Sequence, residues 1–223
     1  MSNKVFQISI DGPSGAGKST IARLVAERLG IDYIDTGAMY RALGLKVLKE
    51  GLDCEDHNVL QKMLDSTYID FDQGHVTLDG ENVSDKIRTP EVGKMASKVS
   101  ALPMVREKLV QAQRDMVKNR SVVMDGRDIG NNVLPNADCK IFLTASLEER
   151  AKRRWMEMKE KGVEIDLNQV ERDMAERDYN DCNRELNPLR KALDAVEVDA
   201  TSLSILEVVD RVIGVCEEKG KSI

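Results

Sequence analysis

Within DGPSGAGKST, residues 11–20, two glycines and a lysine–serine pair are set as Gly12-x4-Gly17-Lys18-Ser19. Glycines let a tight turn aim successive backbone N–H groups at phosphate oxygens, and a helix starting there adds its positive end. Lys18 is placed to reach the transferred phosphoryl group, and the Ser19 hydroxyl to help hold Mg²⁺. A glycine-rich turn without a ligand would need neither Lys18 nor Ser19. The motif points to a nucleoside triphosphate.

Charged residues at three other points suggest a second anion site. Arg41 follows the run YIDTGAMY, and VVMDGRDIG (122–130) ends an apolar run in Asp125, Gly126, Arg127 and Asp128. In ERDYNDCNR (176–184), Arg177, Asp181 and Arg184 are spaced i, i+4, i+7, one face of a helix. Singly, each has a plainer reading: a surface arginine, a turn with a local ion pair, a solvated helix. Together they suit a kinase of a small acceptor better than a non-catalytic nucleotide-binding module. A GTPase switch is disfavoured, because no guanine-reading Asn-Lys-x-Asp motif occurs.

The chain that must position these residues has 223 residues, enough for one domain of moderate size or a core with insertions. It is 41% apolar and 32% charged, an ordinary globular balance. A net charge of −6 argues against a broad nucleic-acid-binding face, whereas a small anion needs only a few arginines. No apolar stretch approaches a bilayer span, and MSNKVFQISIDG lacks a signal peptide's apolar core, so a cytoplasmic protein without a membrane partner is expected. Four widely spaced cysteines, with only His57 and His75 beside them, predict reduced thiols rather than a zinc cage.

Apolar spacing predicts strands at 5–11, 31–35, 121–125, 139–144 and 195–200, alternating with helices at 19–30, 38–51, 90–100, 104–119 and from about 146. A last helix follows a Ser204-x-x-Glu207 capping box. Residues 67–85 alternate polar with apolar around turn signals at Gln73-Gly74 and Asp79-Gly80, which predicts a small antiparallel meander. Strands alternating with helices predict a doubly wound parallel α/β sheet.

The ordered set DGPSGAGKST, DTGAMYR, IRTPEV, VRE, DGRDIG, KIFLTAS, ERAKRR and ERDYNDCNR resembles the bacterial cytidylate kinase family through to about residue 215. The resemblance implies a P-loop kinase fold: a five-stranded parallel sheet flanked by helices, an insert for the nucleoside monophosphate that carries a small antiparallel sheet, and a mobile lid. The core would take residues 1–60, 101–150 and 185–223, the insert about 61–100, and the lid about 150–184. It also implies transfer of the γ-phosphoryl group of ATP, with Mg²⁺, to CMP and dCMP in pyrimidine metabolism. No partner beyond these small molecules is expected, and monomer is the default oligomeric state.

Carried over by position, Gly12, Pro13, Ser14, Gly15, Ala16, Gly17, Lys18, Ser19 and Thr20 form the ATP loop. Arg41, Arg127 and Arg184 would hold the CMP phosphate, with Lys18 between donor and acceptor. Arg177 and Asp181 would meet the ribose, while Ser97, Arg106 and Asp128 would face the cytosine edge. Thr36 stands where the family often has serine, and Tyr40 would flank the same site. Arg150, Arg153 or Arg154 would reach over the triphosphate, although Arg153 has Glu149 as an alternative partner. Asp125 would act as a Walker-B-like carboxylate, orienting the Mg²⁺ water shell beside Ser19. A phosphate acceptor, with a second pKa of about 6, needs no general base. A kinase of an alcohol such as shikimate would need one, and Asp35 and Asp128 are the candidates.

Overall fold

The structure, a computed structural model, describes residues 5–72 and 74–219. Gln73, half of one expected turn, lies outside the described residues. β1 (Gln7–Asp11) runs into the glycine-rich loop and α1 (Lys18–Leu29), followed by β2 (Asp32–Asp35) and α2 (Thr36–Glu50). Gly30 and Gly51 end these helices in the left-handed conformation that glycine adopts without strain. Next come α3 (His57–Ser66), the strands β3 (Ile69–Asp72), β4 (His75–Leu78) and β5 (Glu81–Asn82), then α4 (Pro90–Ser100) and α5 (Pro103–Met116). The core resumes with β6 (Val122–Gly126), a π-helical turn (Ile129–Val133) and β7 (Cys139–Thr144). Two charged helices, α6 (Leu147–Glu160) and α7 (Leu167–Asn183), precede β8 (Val196–Asp199) and α8 (Ile205–Glu218).

The five core strands are parallel in the order β2-β6-β1-β7-β8. The expected meander is a separate three-stranded antiparallel sheet, with Asp79 and Gly80 at positive φ in its second turn. Side chains alternate across the large sheet. Val122 and Met124 join the core formed with α2 to α5, while Val123, Ile8 and Ile10 join the one formed with α1 and α8. Each such fully buried aliphatic side chain contributes roughly 1.5–3 kcal/mol.

The first of these cores also takes in Leu60, Phe71, Val76, Val83 and Val99, so the 61–100 segment is packed onto the sheet's own layer. At Gly44 of α2 a Cβ would lie 2.9 Å from the backbone N of Ala96 on α4, and the missing side chain is what lets these helices touch. α6 and α7 are attached differently. Ala151, Val170 and Met174 form a small core of their own, shared only with partly buried neighbours on the same two helices and the link between them.

Several boundaries differ from the sequence reading. α3 was not foreseen, and it spans the point where the insert was expected to begin. α2 starts at Thr36 because the Asp35 side chain caps it, accepting the Ala38 N–H at 2.9 Å. α7 ends at Asn183, so Arg184 is its C-cap and lies just past the face shared by Arg177 and Asp181. The Ser204–Glu207 capping box is formed in full.

Candidate active site

The carboxyl ends of β1, β2 and β6 open onto one cleft, where open parallel sheets bind their ligands. Its volume of 2180 Å³ exceeds the roughly 300–1,000 Å³ usual for one small ligand, room for two. At its floor the glycine-rich loop passes close to β7: a Cβ on Gly12 would sit 1.9 Å from the Leu143 carbonyl oxygen. Gly12, Gly15 and Gly17 all have positive φ, so the loop's shape depends on these glycines.

Lys18 is 6% exposed, and its Nζ donates to the Pro13 carbonyl across the loop at 2.6 Å. Burial pulls its ammonium well below the ordinary lysine value, and the charge of Arg127 pulls the same way. A polyphosphate there would oppose both influences, since an adjacent anion favours the charged amine. Ser19 Oγ donates to Asp125 Oδ2 at 2.9 Å, which brings together the two groups expected at the metal. Tyr33 OH donates to Asp125 Oδ1 at 3.0 Å, and Thr36 Oγ1 to the Asp125 carbonyl at 2.7 Å. Burial pushes the Asp125 carboxyl up, and so does Asp35, its register partner on β2. One hydroxyl and one carboxylate make an open, all-oxygen donor set, which suits Mg²⁺ because that ion keeps several waters and binds phosphate oxygens. Among the described residues no trio of His, Cys, Asp or Glu could hold a metal alone.

Across the cleft the expected acceptor residues form one ionic network. Arg127 Nε donates to Asp181 Oδ2 at 2.8 Å, and Arg184 Nη1 lies 3.5 Å from Asp181 Oδ1. Arg184 Nη2 reaches Asp128 Oδ1 at 3.2 Å, while Arg106 Nη2 reaches Asp128 Oδ2 at 2.6 Å. Asp128 therefore pairs with neither neighbour in sequence. Burial opposes ionisation of Asp181, but Arg127 and then Arg177 and Arg184 outweigh it and hold the carboxyl below its ordinary value. Burial pulls Arg177 down to about 10, with Arg127 adding to the effect, and its Nε has no partner among the described residues. Arg41 donates to Asp35 Oδ2 at 2.8 Å. The Arg106 guanidinium, in a residue only 1% exposed, lies 5.5 Å from the Tyr40 ring centroid. Burial pushes the Tyr40 phenol up to about 12, and its hydroxyl lacks a partner among the described residues. Thr36, Ser97 and Thr20 line the same cleft.

The three arginines of ERAKRR face different ways. Arg150 donates to the carbonyls of Ala145 and Ser14 and pairs with Asp178, whose other oxygen accepts the Ser14 N–H at 3.2 Å. It braces the loop's backbone. Arg153 pairs with Glu149, the alternative its sequence position allowed, and also donates to the Ala200 carbonyl at 2.8 Å. Arg154 pairs with Glu157 on an open face, and both it and Arg153 line the cleft.

Sequence reasoning missed several residues. Asp11 accepts the N–H groups of Ile129 at 2.8 Å and Gly130 at 2.7 Å, tying the end of β1 to the turn that carries Asp128. Burial, chiefly, pushes this carboxyl up to about 6. Tyr33 and Asp178 had no local signal. Leu203, Ser204 and Ile205 line the cleft beside Arg153, from a loop that read only as a helix start.

A family model described as Cytidylate kinase matches residues 8–218. A cytidylate kinase of Caldicellulosiruptor bescii is 53% identical over 214 residues, covering 94% of this chain and 95% of the relative. One from Lactobacillus johnsonii is 47% identical, covering 99% and 97%. Among solved structures, the shikimate kinase of Bacteroides thetaiotaomicron superposes with a TM-score of 0.52 at 11% identity, covering 95% of this chain and 98% of that one, a likeness of fold alone.

Proposed function

Because the chain belongs to the cytidylate kinase family, we propose that its cleft transfers the γ-phosphoryl group of ATP to CMP. The observation that best supports this reading is the second anion site, where Arg41, Arg127, Arg177 and Arg184 gather opposite the phosphate loop. The acceptor phosphate is already ionised near neutral pH, its second pKa being about 6, so charge cancellation and alignment are the work required. The two carboxylates that an alcohol kinase would recruit as base are both committed. Asp35 holds Arg41 and caps α2, and Asp128 holds Arg106 and Arg184.

In this reading Lys18 lies between donor and acceptor, with the loop amides on the donor phosphates. Arg41, Arg127 and Arg184 hold the acceptor phosphate, Arg177 and Asp181 the ribose, and Ser97, Arg106 and Asp128 the base. Leu203 and Ile205, which line the same cleft as Arg153, would meet the donor base. Mg²⁺, held by Ser19 and through water by Asp125, would supply charge neutralisation on the donor phosphates. The segment from about 61 to 100 serves as the acceptor insert and that from about 150 to 184 as the lid. Among the described residues no helix is long and apolar enough to cross a membrane.

A coupled ADP-release assay with ATP and Mg²⁺ tests the proposal across nucleoside monophosphates and shikimate. Turnover strongest with CMP and dCMP is expected. ADP release that ignores every acceptor, or prefers shikimate, would overturn it.

Truncating Arg41, Arg127 or Arg184 to alanine should cost on the order of 1.5–3 kcal/mol in kcat/KM for CMP, the worth of a hydrogen bond to a charged group. ATP affinity should change much less. Calorimetry showing ATP binding weakened as much as CMP binding would overturn this assignment.

The lid should close on its substrates. Its small separate core gives it internal rigidity, while polar contacts such as Arg150 to Ser14 and Arg127 to Asp181 join it to the rest. Hydrogen exchange over residues 150–184 should slow when ATP analogue and CMP are both bound. Equal protection with and without them would refute closure.

A further inference from the structure

The geometry points to Tyr33 as a positioning residue, whose hydroxyl orients the Asp125 carboxylate toward the donor-phosphate metal. The inference rests on the kinase reading above and adds a residue to it. Asp125, next to last in β6, carries two oxygens that are equivalent until something distinguishes them. Tyr33 OH donates to Oδ1 at 3.0 Å, and Ser19 Oγ donates to Oδ2 at 2.9 Å, so the carboxylate plane is held from both sides. The backbone beneath it is held too, since its carbonyl accepts from Thr36 Oγ1.

The other carboxylate nearby leaves the task to Asp125, because Asp35 is engaged by Arg41 and by the Ala38 N–H. Tyr33 is itself fixed. It lies on β2, where its register partner is Val123, and its ring meets that of Phe71 edge to face, with centroids 6.1 Å apart and planes at 84°. Phe71 belongs to β3 of the small sheet. A phenol pinned by a ring on one side and aimed at a carboxylate on the other is a rigid support. A hydroxyl in a packed strand would serve packing no better than phenylalanine, whereas this one donates to Asp125 and lies in hydrogen-bonding reach of Ser19, the other residue on that carboxylate.

Tyr33→Phe keeps the ring and its contact with Phe71 and removes only the donor. We expect kcat to fall about tenfold, the worth of one hydrogen bond to a charged group. KM for CMP should stay within about twofold, since the Tyr33 hydroxyl donates to Asp125 rather than to a group assigned to the acceptor. Calorimetry supplies a readout independent of turnover. The gain in ADP affinity on adding Mg²⁺ should shrink severalfold, while ADP affinity in EDTA stays unchanged. Two coupled sites also predict non-additivity, so Tyr33→Phe should have no further effect in an Asp125→Asn background. An unchanged kcat and metal-linked gain, a parallel fall in metal-free affinity, or full additivity with Asp125→Asn would each overturn the role. Wild-type enzyme without CMP-dependent turnover would sink the kinase reading instead, leaving the calorimetric arm as the test of Tyr33.

Discussion

Lys18→Ala should leave the fold intact and lower kcat by about a hundredfold or more. Removing a charge that acts on the transferring phosphoryl group costs about 3 kcal/mol, and each 1.36 kcal/mol is tenfold in rate. Stability should not fall with it. A group whose proton affinity is lowered by folding contributes stability only above its ordinary titration range, and that contribution is lost as pH falls through the lowered value. Burial and Arg127 lower Lys18 in this way, so near neutral pH and below the buried ammonium opposes folding and its removal relieves the chain. The melting temperature of the variant should therefore equal or exceed that of the wild type. Lys18→Arg should not restore turnover, because a planar fork cannot occupy a place shaped for a compact ammonium donating to the Pro13 carbonyl. Near-normal kcat in Lys18→Ala would remove the residue from the mechanism, and a large fall in melting temperature would make its role structural.

What could be read in advance was what is written locally. The glycine-rich loop, the helix-ending Gly30 and Gly51, the Ser204–Glu207 box and the strand at the apolar run Val122 to Met124 each follow from residues within a few positions of one another. α3 had such a signal as well, Asp56 as cap and Leu60, Met63 and Leu64 at helical spacing. Ten residues beside a meander make only a weak pattern. The π-helical turn after Asp128 had none. It is held by Asp11, 118 residues away, whose carboxylate accepts two of its N–H groups.

The family resemblance placed the arginines in one site but could not say which carboxylate each one meets. GRD invites pairing of Arg127 with Asp128, yet the chain turns there. Arg127 goes to Asp181 on α7, and Asp128 to Arg106 on α5 and to Arg184. That exchange depends on the order of β6 and β1 in the sheet and on where α7 returns, information that no short window holds. Tyr33 shows the same limit. On a strand it reads as core, and its acceptor is visible only once β2 lies beside β6.

Asp128→Asn should narrow the ratio of kcat/KM for CMP over UMP by about tenfold or more, well inside what unpaired polar groups in a built site can impose. Cytosine offers an amino donor at N4 where uracil has an oxygen, and a carboxylate is the natural acceptor for that donor. Facing uracil it would set two acceptors together with no proton between them. The structure adds a cost that the sequence did not disclose. Asp128 lies between the buried guanidinium groups of Arg106 and Arg184, and also accepts from Asn132 Nδ2 at 3.2 Å. Asparagine would bring an NH₂ group against donors on at least one side, and loss of a buried ionic partner costs about 3–5 kcal/mol. The variant should therefore be less stable and less active on both substrates. The ratio remains informative, because both values come from one preparation and the fraction of folded enzyme cancels. If Asp128 served only to hold Arg106 and Arg184, both rates would fall by the same factor. An unchanged ratio would then leave cytosine recognition to other groups on the cleft wall.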